Sequence, residues 1–153
     1  QIQPGLVTFN GVSGRGQTHL LPHGMLIDDS YNANPASMQA AIQMLMQCSG
    51  EGLLCLGAMA ELGSASDALH LELADFAKSA GVKHLFLTGE LTQTMASRFG
   101  EGAQWFATHQ AMAEAAWQLI QQNQIQNVLI KGSRSAKMEQ VGQVLLAQLA
   151  TNP

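Results

Sequence analysis

The sequence predicts an α/β domain with a mostly parallel sheet and helices on both of its faces. Three observations predict this architecture. Short apolar runs alternate with longer segments of helical period. The runs are apolar on both faces, as strands buried between two layers should be. The links between runs and helical segments are short, which is typical of repeated strand–helix units.

Five core strands are expected, each followed by a helix. The strand-like runs are GMLIDD (24–29), GLLCLG (52–57), HLFLTG (84–89), AQWFA (103–107) and NVLIKG (127–132). Helical period occurs at 35–47, 66–80, 91–99, 109–122 and 136–150. The first helix has a clear start, with Asn34 as N-cap and Pro35 at the first helical position. Its apolar face consists of Met38, Ala41, Ile42 and Leu45. Together these segments indicate a Rossmann-like sheet.

The segment before the first core strand is harder to interpret. Residues 1–23 are predicted to be a lead-in, in which GLVTFNG (5–11) is expected to pair at a sheet edge in an orientation that the sequence leaves open. At 153 residues the chain has the size of one domain, so residues 1–153 are predicted to form a single unit. Because the chain starts at Gln1, we expect it to be a piece of a longer protein.

Composition narrows the function classes. Hydrophobic residues make up 46% and charged residues 12%, with a net charge of −4. The negative net charge disfavours a protein that binds nucleic acid or membrane surfaces, because such a protein needs a basic face. The apolar runs are too short for a membrane helix and the first residues show no signal pattern, so we expect a cytoplasmic protein. We also expect a monomer. Cys48 and Cys55 lack metal-ligand spacing and are predicted to be reduced thiols in the core.

Polar residues concentrate where three predicted strands end. DDSYNAN follows the first core strand, AMAELG the second, and KGSRSAK the last. In open α/β sheets, ligands bind outside the carboxyl ends of the strands. These loops are therefore the predicted ligand-binding edge.

Cations cluster in two of the loops of this acidic chain. Only seven residues are Lys or Arg, and four of them, Arg15, Lys131, Arg134 and Lys137, lie in SGRGQ and KGSRSAK. Guanidinium groups and backbone amides there predict an anion site, with ordinary solvated loop charges as the alternative.

The acidic residues and histidines at this edge have two interpretations each. Asp28 and Asp29 either hold ribose hydroxyls or metal-bound water, or cap a turn. Because Asn34 is better placed as the cap, at least one of the two carboxylates is expected to be free for a ligand. Glu61 is either solvated or part of the site. Histidines 70, 84 and 109 lack ligand spacing and are predicted to be surface or capping residues.

Two nucleotide motifs do not account for the site. The sequence contains no GxxxxGK[ST], so it lacks a self-contained cradle for ATP phosphates. GVSGRGQTH only approaches GxGxxG and follows no convincing strand.

DDSYNANPASM (28–38) closely resembles the C-terminal domain of the Mur ligases, especially the members that add D-alanyl-D-alanine to a UDP-N-acetylmuramoyl-tripeptide. LGAMAELG followed by His70, and then IKGSRSAKMEQV, continue the resemblance in the same order. SGRG resembles the family's Gly-Arg loop, so the resemblance runs from about Gly14 to the last helix. Three motifs in order are far more specific than any one.

The resemblance implies a role in the cytoplasmic steps of peptidoglycan synthesis. In this family ATP phosphorylates a carboxylate, and the amine of the added group attacks the acyl phosphate. The phosphate loop and most Mg²⁺ ligands lie on a central domain, and the UDP-sugar binds an N-terminal one. This chain resembles only the third domain, so alone it is expected to be inactive.

The resemblance also implies which residues contact each ligand. Those expected to contact ATP are Arg15, Asp29, Tyr31 and Asn32. Those expected to place the dipeptide are Asn34, Glu61, Lys131, Ser133 and Arg134. No metal ligand and no catalytic residue is assigned to this domain.

Two other function classes remain open at this level. A phosphoacceptor receiver domain also has paired Asp residues after its first core strand and a Lys after its last, but the middle strands here carry no phosphoacceptor Asp. A free-standing nucleotide-binding module would bind its ligand tightly in isolation, whereas one wall of a ligase cleft should bind weakly.

Overall fold

The alternating apolar and helical segments build a single mixed sheet with helices on both faces. The computed structural model describes residues 14–152, so the edge pairing expected of GLVTFNG lies outside the described residues. The strands are β1 (Gln17–Leu21), β2 (Gly24–Asp29), β3 (Gly52–Leu56), β4 (His84–Thr88), β5 (Ala103–Phe106) and β6 (Asn127–Lys131). The helices are α1 (Pro35–Gln47), α2 (Ser66–Ala80), α3 (Gln93–Phe99), α4 (His109–Gln121) and α5 (Glu139–Thr151). The predicted fold class is confirmed.

The strands lie in the order β1-β2-β6-β3-β4-β5. All neighbours from β2 onward are parallel, and β1 alone runs antiparallel, against β2. Residues 17–21, which the sequence left in the lead-in, therefore form the strand at one edge of the sheet that residues 14–152 build. They pair with β2 through a tight hairpin in which Leu21 opposes Gly24.

Two cores sandwich the sheet because successive strand residues point to opposite faces. Leu54 and Leu56 pack with α1, α2 and α3 on one face. Leu53 and Cys55 pack with α4 and α5 on the other. Cys48 and Cys55 are free thiols, and Cys55 is fully buried, as predicted, whereas Cys48 is only half-buried at the end of α1.

The helix starts differ in how well local sequence predicts them. At α1 the Asn34 side chain accepts a hydrogen bond from the Ser37 amide, and the Ser37 hydroxyl accepts one from the Asn34 amide, so the predicted N-cap is confirmed. The last helix was predicted from residue 136 but begins at Glu139, because Arg134–Ala136 forms a 3₁₀ turn and Lys137 is left-handed, with φ 54°. Among residues 14–152, no helix has the length and apolar character needed to cross a bilayer.

Candidate functional site

The sheet topology opens a crevice around the carboxyl end of β6. Strand β6 lies between β2 and β3, and the chain leaves it toward α5 on one face. Strands β2 and β3 instead lead to α1 and α2 on the opposite face. Adjacent loops that diverge to opposite faces leave a gap between them, which is where open α/β sheets bind ligands.

The predicted loops line a cavity in this crevice, which we call the motif cavity. Its volume is about 650 Å³. Of the nine predicted contact residues, those in its lining are Tyr31, Asn32, Asn34, Glu61, Ser133 and Arg134. Loops from β2, β3 and β6, far apart in sequence, thus meet at one opening.

The SGRG loop reaches the motif cavity through Tyr31. The Tyr31 amide donates a hydrogen bond to the Gly14 carbonyl, with 2.7 Å between N and O. The Arg15 guanidinium carbon lies 3.6 Å from the centroid of the Tyr31 ring, and that of Arg134 lies 4.9 Å from the same centroid. Arg15 is therefore next to the cavity lining although it is not part of it.

Lys131 supports the site from below. Its side chain is 5% exposed, and Nζ donates to Asp29 Oδ2 at 2.8 Å and to the Asn32 carbonyl at 3.0 Å. The ammonium group is therefore already engaged with the loop after β2, and the described arrangement gives it no place in the cavity wall. Through these two hydrogen bonds Lys131 holds Asp29 and Asn32 in position.

Asp28 and Asp29, for which the sequence left a capping role and a ligand-binding role open, differ in their surroundings. Asp28 is buried, and its Oδ1 accepts a hydrogen bond from the Ser30 amide at 3.2 Å, so it caps the turn. Asp29 is 29% exposed on its side chain and is paired with Lys131. Neither carboxylate is wholly free, and Asp29 is the one with access to solvent.

Glu61 has an unusual backbone. Its φ is 61°, in the left-handed region that side chains other than glycine rarely adopt. Its side chain is exposed at the rim of the motif cavity. Strained backbone of this kind is concentrated at functional sites, which favours a role over simple solvation.

His70 is the main residue that the sequence misplaced. The prediction of a surface or capping role is wrong, since His70 is 1% exposed and lies under the loop after β3. Its Nε2 accepts from the Met59 amide at 3.0 Å, and its Nδ1 donates to the Ser66 carbonyl at 2.8 Å. The histidine thus holds the loop that carries Glu61. The sequence indicated a role for His70 only through the family resemblance, in which LGAMAELG is followed by this histidine.

The other two histidines predicted to be surface or capping residues are half-buried. His84 begins β4. His109 donates through Nε2 to the Ala136 carbonyl at 2.8 Å, which ties α4 to the turn after β6.

A second cavity, of about 660 Å³, lies beside the motif cavity at the ends of β3, β4, β5 and β6. Thr88, Glu90, Trp105 and His109 line it, and Ser133 lies between the two cavities. Sequence reasoning missed this cavity because its lining comes from single residues of several loops and not from a motif. Among residues 14–152, no group of three or more His, Cys, Asp or Glu residues is placed to hold a metal ion.

Comparisons with known proteins find one family match and several similar ligases. Residues 14–134 match the family described as Mur ligase, glutamate ligase domain. The UDP-N-acetylmuramoyl-tripeptide–D-alanyl-D-alanine ligase of Escherichia coli (strain K12) is 39% identical over 145 residues, which are 94% of this chain and 32% of that protein.

Solved structures of MurF ligases match this chain as well. A crystal structure of MurF from Acinetobacter baumannii matches with a TM-score of 0.80 at 32% identity, over 94% of this chain and 32% of that one. MurF ligase from Thermotoga maritima, solved in complex with ADP, matches with a TM-score of 0.78 over 97% of this chain and 34% of that one. Its identity is 23%, so this match shows the fold alone. The chain spans about a third of the length of these relatives.

Proposed function

The chain belongs to the Mur ligase family, and we propose that it is the C-terminal domain of an ATP-dependent ligase that adds D-alanyl-D-alanine to UDP-N-acetylmuramoyl-tripeptide. The observation that carries the proposal is the convergence of the family's three loop motifs on one cavity. Through that reaction the longer protein would act in the cytoplasmic steps of peptidoglycan synthesis. We propose that it acts as a monomer.

The nucleotide side of the site comprises Arg15, Asp29, Tyr31 and Asn32. A guanidinium is suited to phosphate oxygens, and a partly exposed carboxylate is suited to ribose hydroxyls. Asp29 keeps that exposure while Lys131 holds it in place, which supports a fixed acceptor at this position. The residues present therefore fit a nucleotide at this side of the motif cavity.

The dipeptide side comprises Asn34, Glu61 and Ser133, with Arg134 at the boundary of the two sides. Lys131 serves this side indirectly, by holding the Asn32 carbonyl of the same loop. Asn34 contributes its side-chain oxygen to the α1 cap, which leaves its amide group for a ligand. Glu61 offers a carboxylate to the dipeptide ammonium.

The remaining parts of the reaction belong elsewhere in the longer protein. We place the phosphate-binding loop and most Mg²⁺ ligands on another part of the longer protein, as the family resemblance implies, since this sequence contains no GxxxxGK[ST]. Mg²⁺ would offset charge on the ATP phosphates. This domain would form one wall of a cleft whose closure brings amine and acyl phosphate together and excludes water. The isolated chain is therefore expected to be inactive.

A domain exchange tests the proposal. The chain replaces the corresponding third of the Escherichia coli relative, and phosphate release is measured with ATP, UDP-N-acetylmuramoyl-tripeptide and D-alanyl-D-alanine together. We expect release that requires all three substrates. L-alanyl-L-alanine serves as the control substrate and should support little release. A folded chimera that forms no product with D-alanyl-D-alanine would contradict the proposal.

Titration of the isolated chain separates this proposal from an independent nucleotide module. Amide shifts at residues 28–34 and 131–135 are followed by NMR while ATP or D-alanyl-D-alanine is added. One wall of a cleft predicts weak, local shifts that saturate only at high ligand concentration. Tight binding of ATP alone would favour the independent module.

A further inference from the structure

Two guanidinium groups from distant parts of the chain lie against one aromatic ring. Arg15 comes from the SGRG loop and Arg134 from the turn after β6, and their guanidinium carbons are 3.6 Å and 4.9 Å from the Tyr31 centroid. Both arginine residues are exposed, and Tyr31 is half-buried. The sequence motifs had divided these arginines between two ligands.

The two arginines of this cluster have no ion-pair partner in the part of the chain that the structure describes. Among residues 14–152, no carboxylate lies within ion-pair distance of Arg15 or Arg134, although Lys83, Arg98 and Lys131 all have such partners. An aromatic face attracts each guanidinium but leaves both charges in place, so the two still repel each other. An oxyanion between them would remove that repulsion.

The backbone holds the cluster ready for a ligand. The Tyr31 amide bonds to Gly14, and the Gly16 amide donates to the Asp28 carbonyl at 3.0 Å, so the residues on both sides of Arg15 are tied to the loop after β2. The amide of Ser133, which is 3% exposed, donates to the Ala58 carbonyl at 2.9 Å and anchors the residue before Arg134. Only the side chains need adjust when an anion binds.

We propose that Arg15, Tyr31 and Arg134 form one binding site for a phosphate-bearing ligand, in which both guanidinium groups contact the same phosphate chain. Two planar donors match a polyanion better than the single carboxylate of a dipeptide. Arg134 therefore serves the nucleotide side, and the dipeptide carboxylate is left to other groups. The identification of the ligand as the phosphate chain of ATP rests on the proposed function.

Inorganic tripolyphosphate is the probe, because it carries the phosphate chain without base or ribose. It is titrated into the 153-residue chain at constant ionic strength, with the amide and arginine Nε signals followed by NMR. Arg15→Gln and Arg134→Gln are each expected to raise the Kd about tenfold. Lys83→Gln removes an exposed charge beside the start of β4, at the edge of the sheet opposite the site, and we expect a change below about threefold.

The ring is tested separately from the charges. Tyr31→Phe keeps an aromatic face and should retain most of the affinity, whereas Tyr31→Leu should lose several-fold. The amide spectrum of each variant verifies that it is folded. The proposal is wrong if the wild-type chain does not bind tripolyphosphate at tens of millimolar, or if Arg134→Gln weakens D-alanyl-D-alanine binding and leaves tripolyphosphate unchanged.

The domain exchange distinguishes the two proposals. If the chimera is active and Arg134→Gln leaves tripolyphosphate binding unchanged, the ligase assignment stands and the shared phosphate site is refuted. If the chimera is folded but inactive while both arginine variants weaken tripolyphosphate binding, the site stands and the ligase assignment is refuted.

Discussion

The ion pair between Lys131 and Asp29 should respond unequally to loss of its two members. The Lys131 side chain is 5% exposed, whereas that of Asp29 is 29% exposed. Asp29→Ala leaves a buried ammonium with only the Asn32 carbonyl, and stranding such a charge should cost about 3 kcal/mol of unfolding free energy. Lys131→Met leaves a carboxylate that water can reach, so about 1 kcal/mol should be lost.

Urea unfolding followed by circular dichroism measures these costs, and the double variant completes a cycle. Because the double variant leaves no stranded charge, it should cost little more than Lys131→Met, giving a coupling energy of about 3 kcal/mol. A coupling below about 0.5 kcal/mol would show that the two side chains do not support each other, and a larger loss for Lys131→Met than for Asp29→Ala would refute the cost assigned to a stranded ammonium.

Four further predictions concern stability and reactivity. His70→Leu strands a buried amide of the loop after β3 and should cost about 2 kcal/mol by urea unfolding, with His70→Asn less damaging. Asn34→Ala removes the α1 cap and should cost about 1 kcal/mol in the same assay, whereas Asn34→Ser should cost little. Burial raises the pKa of the Cys55 thiol, so iodoacetamide should label it only on unfolding, as read by mass spectrometry. Hydrogen bonds from Arg98 lower the pKa of Asp75, so the pair stabilises the fold above the carboxyl's ordinary pKa, and this contribution disappears as pH falls through the lowered value. Asp75→Asn should flatten that part of the stability–pH curve.

Each of these has an outcome that would count against it. Equal stability of His70→Leu and the wild type would mean that the loop does not depend on the histidine. An Asn34→Ala variant as stable as Asn34→Ser would show that the cap is dispensable. Labelling of Cys55 at the rate of a free thiol in the folded chain would contradict its burial, and an unchanged acid limb in Asp75→Asn would exclude that ion pair.

Local signals explain why most of the fold was predictable. Asn34 and Pro35 mark the start of α1 within a few residues of sequence, and each apolar run ends within one residue of the end of the strand that it forms. Strand β1 was missed because, among residues 14–152, it pairs with β2 alone and its burial pattern is mostly intermediate, so its sequence has no strong strand period.

The site was predictable in outline but not in its internal contacts. Placing DDSYNAN, AMAELG and KGSRSAK at strand ends was enough to predict that they would meet. The hydrogen bond of Lys131 to Asp29 joins residues 102 positions apart, and the burial of His70 depends on how the loop after β3 folds back over α2, where the Met59 amide meets the ring. Such pairings arise from tertiary packing, and no spacing rule within the sequence reports them.

The position of β6 has a consequence for how the chain folds. This strand is the last in sequence but lies in the middle of the sheet, between β2 and β3. Until β6 is available, the β1–β2 pair and the strands β3, β4 and β5 have no strand between them to pair with. Pairing β2 with β6 also closes a loop of about a hundred residues. Long-range parallel pairing of this kind is slow. Folding on the ribosome should therefore wait for the C-terminal quarter of the domain, and a chain that stops before β6 should remain exposed to chaperones and proteases.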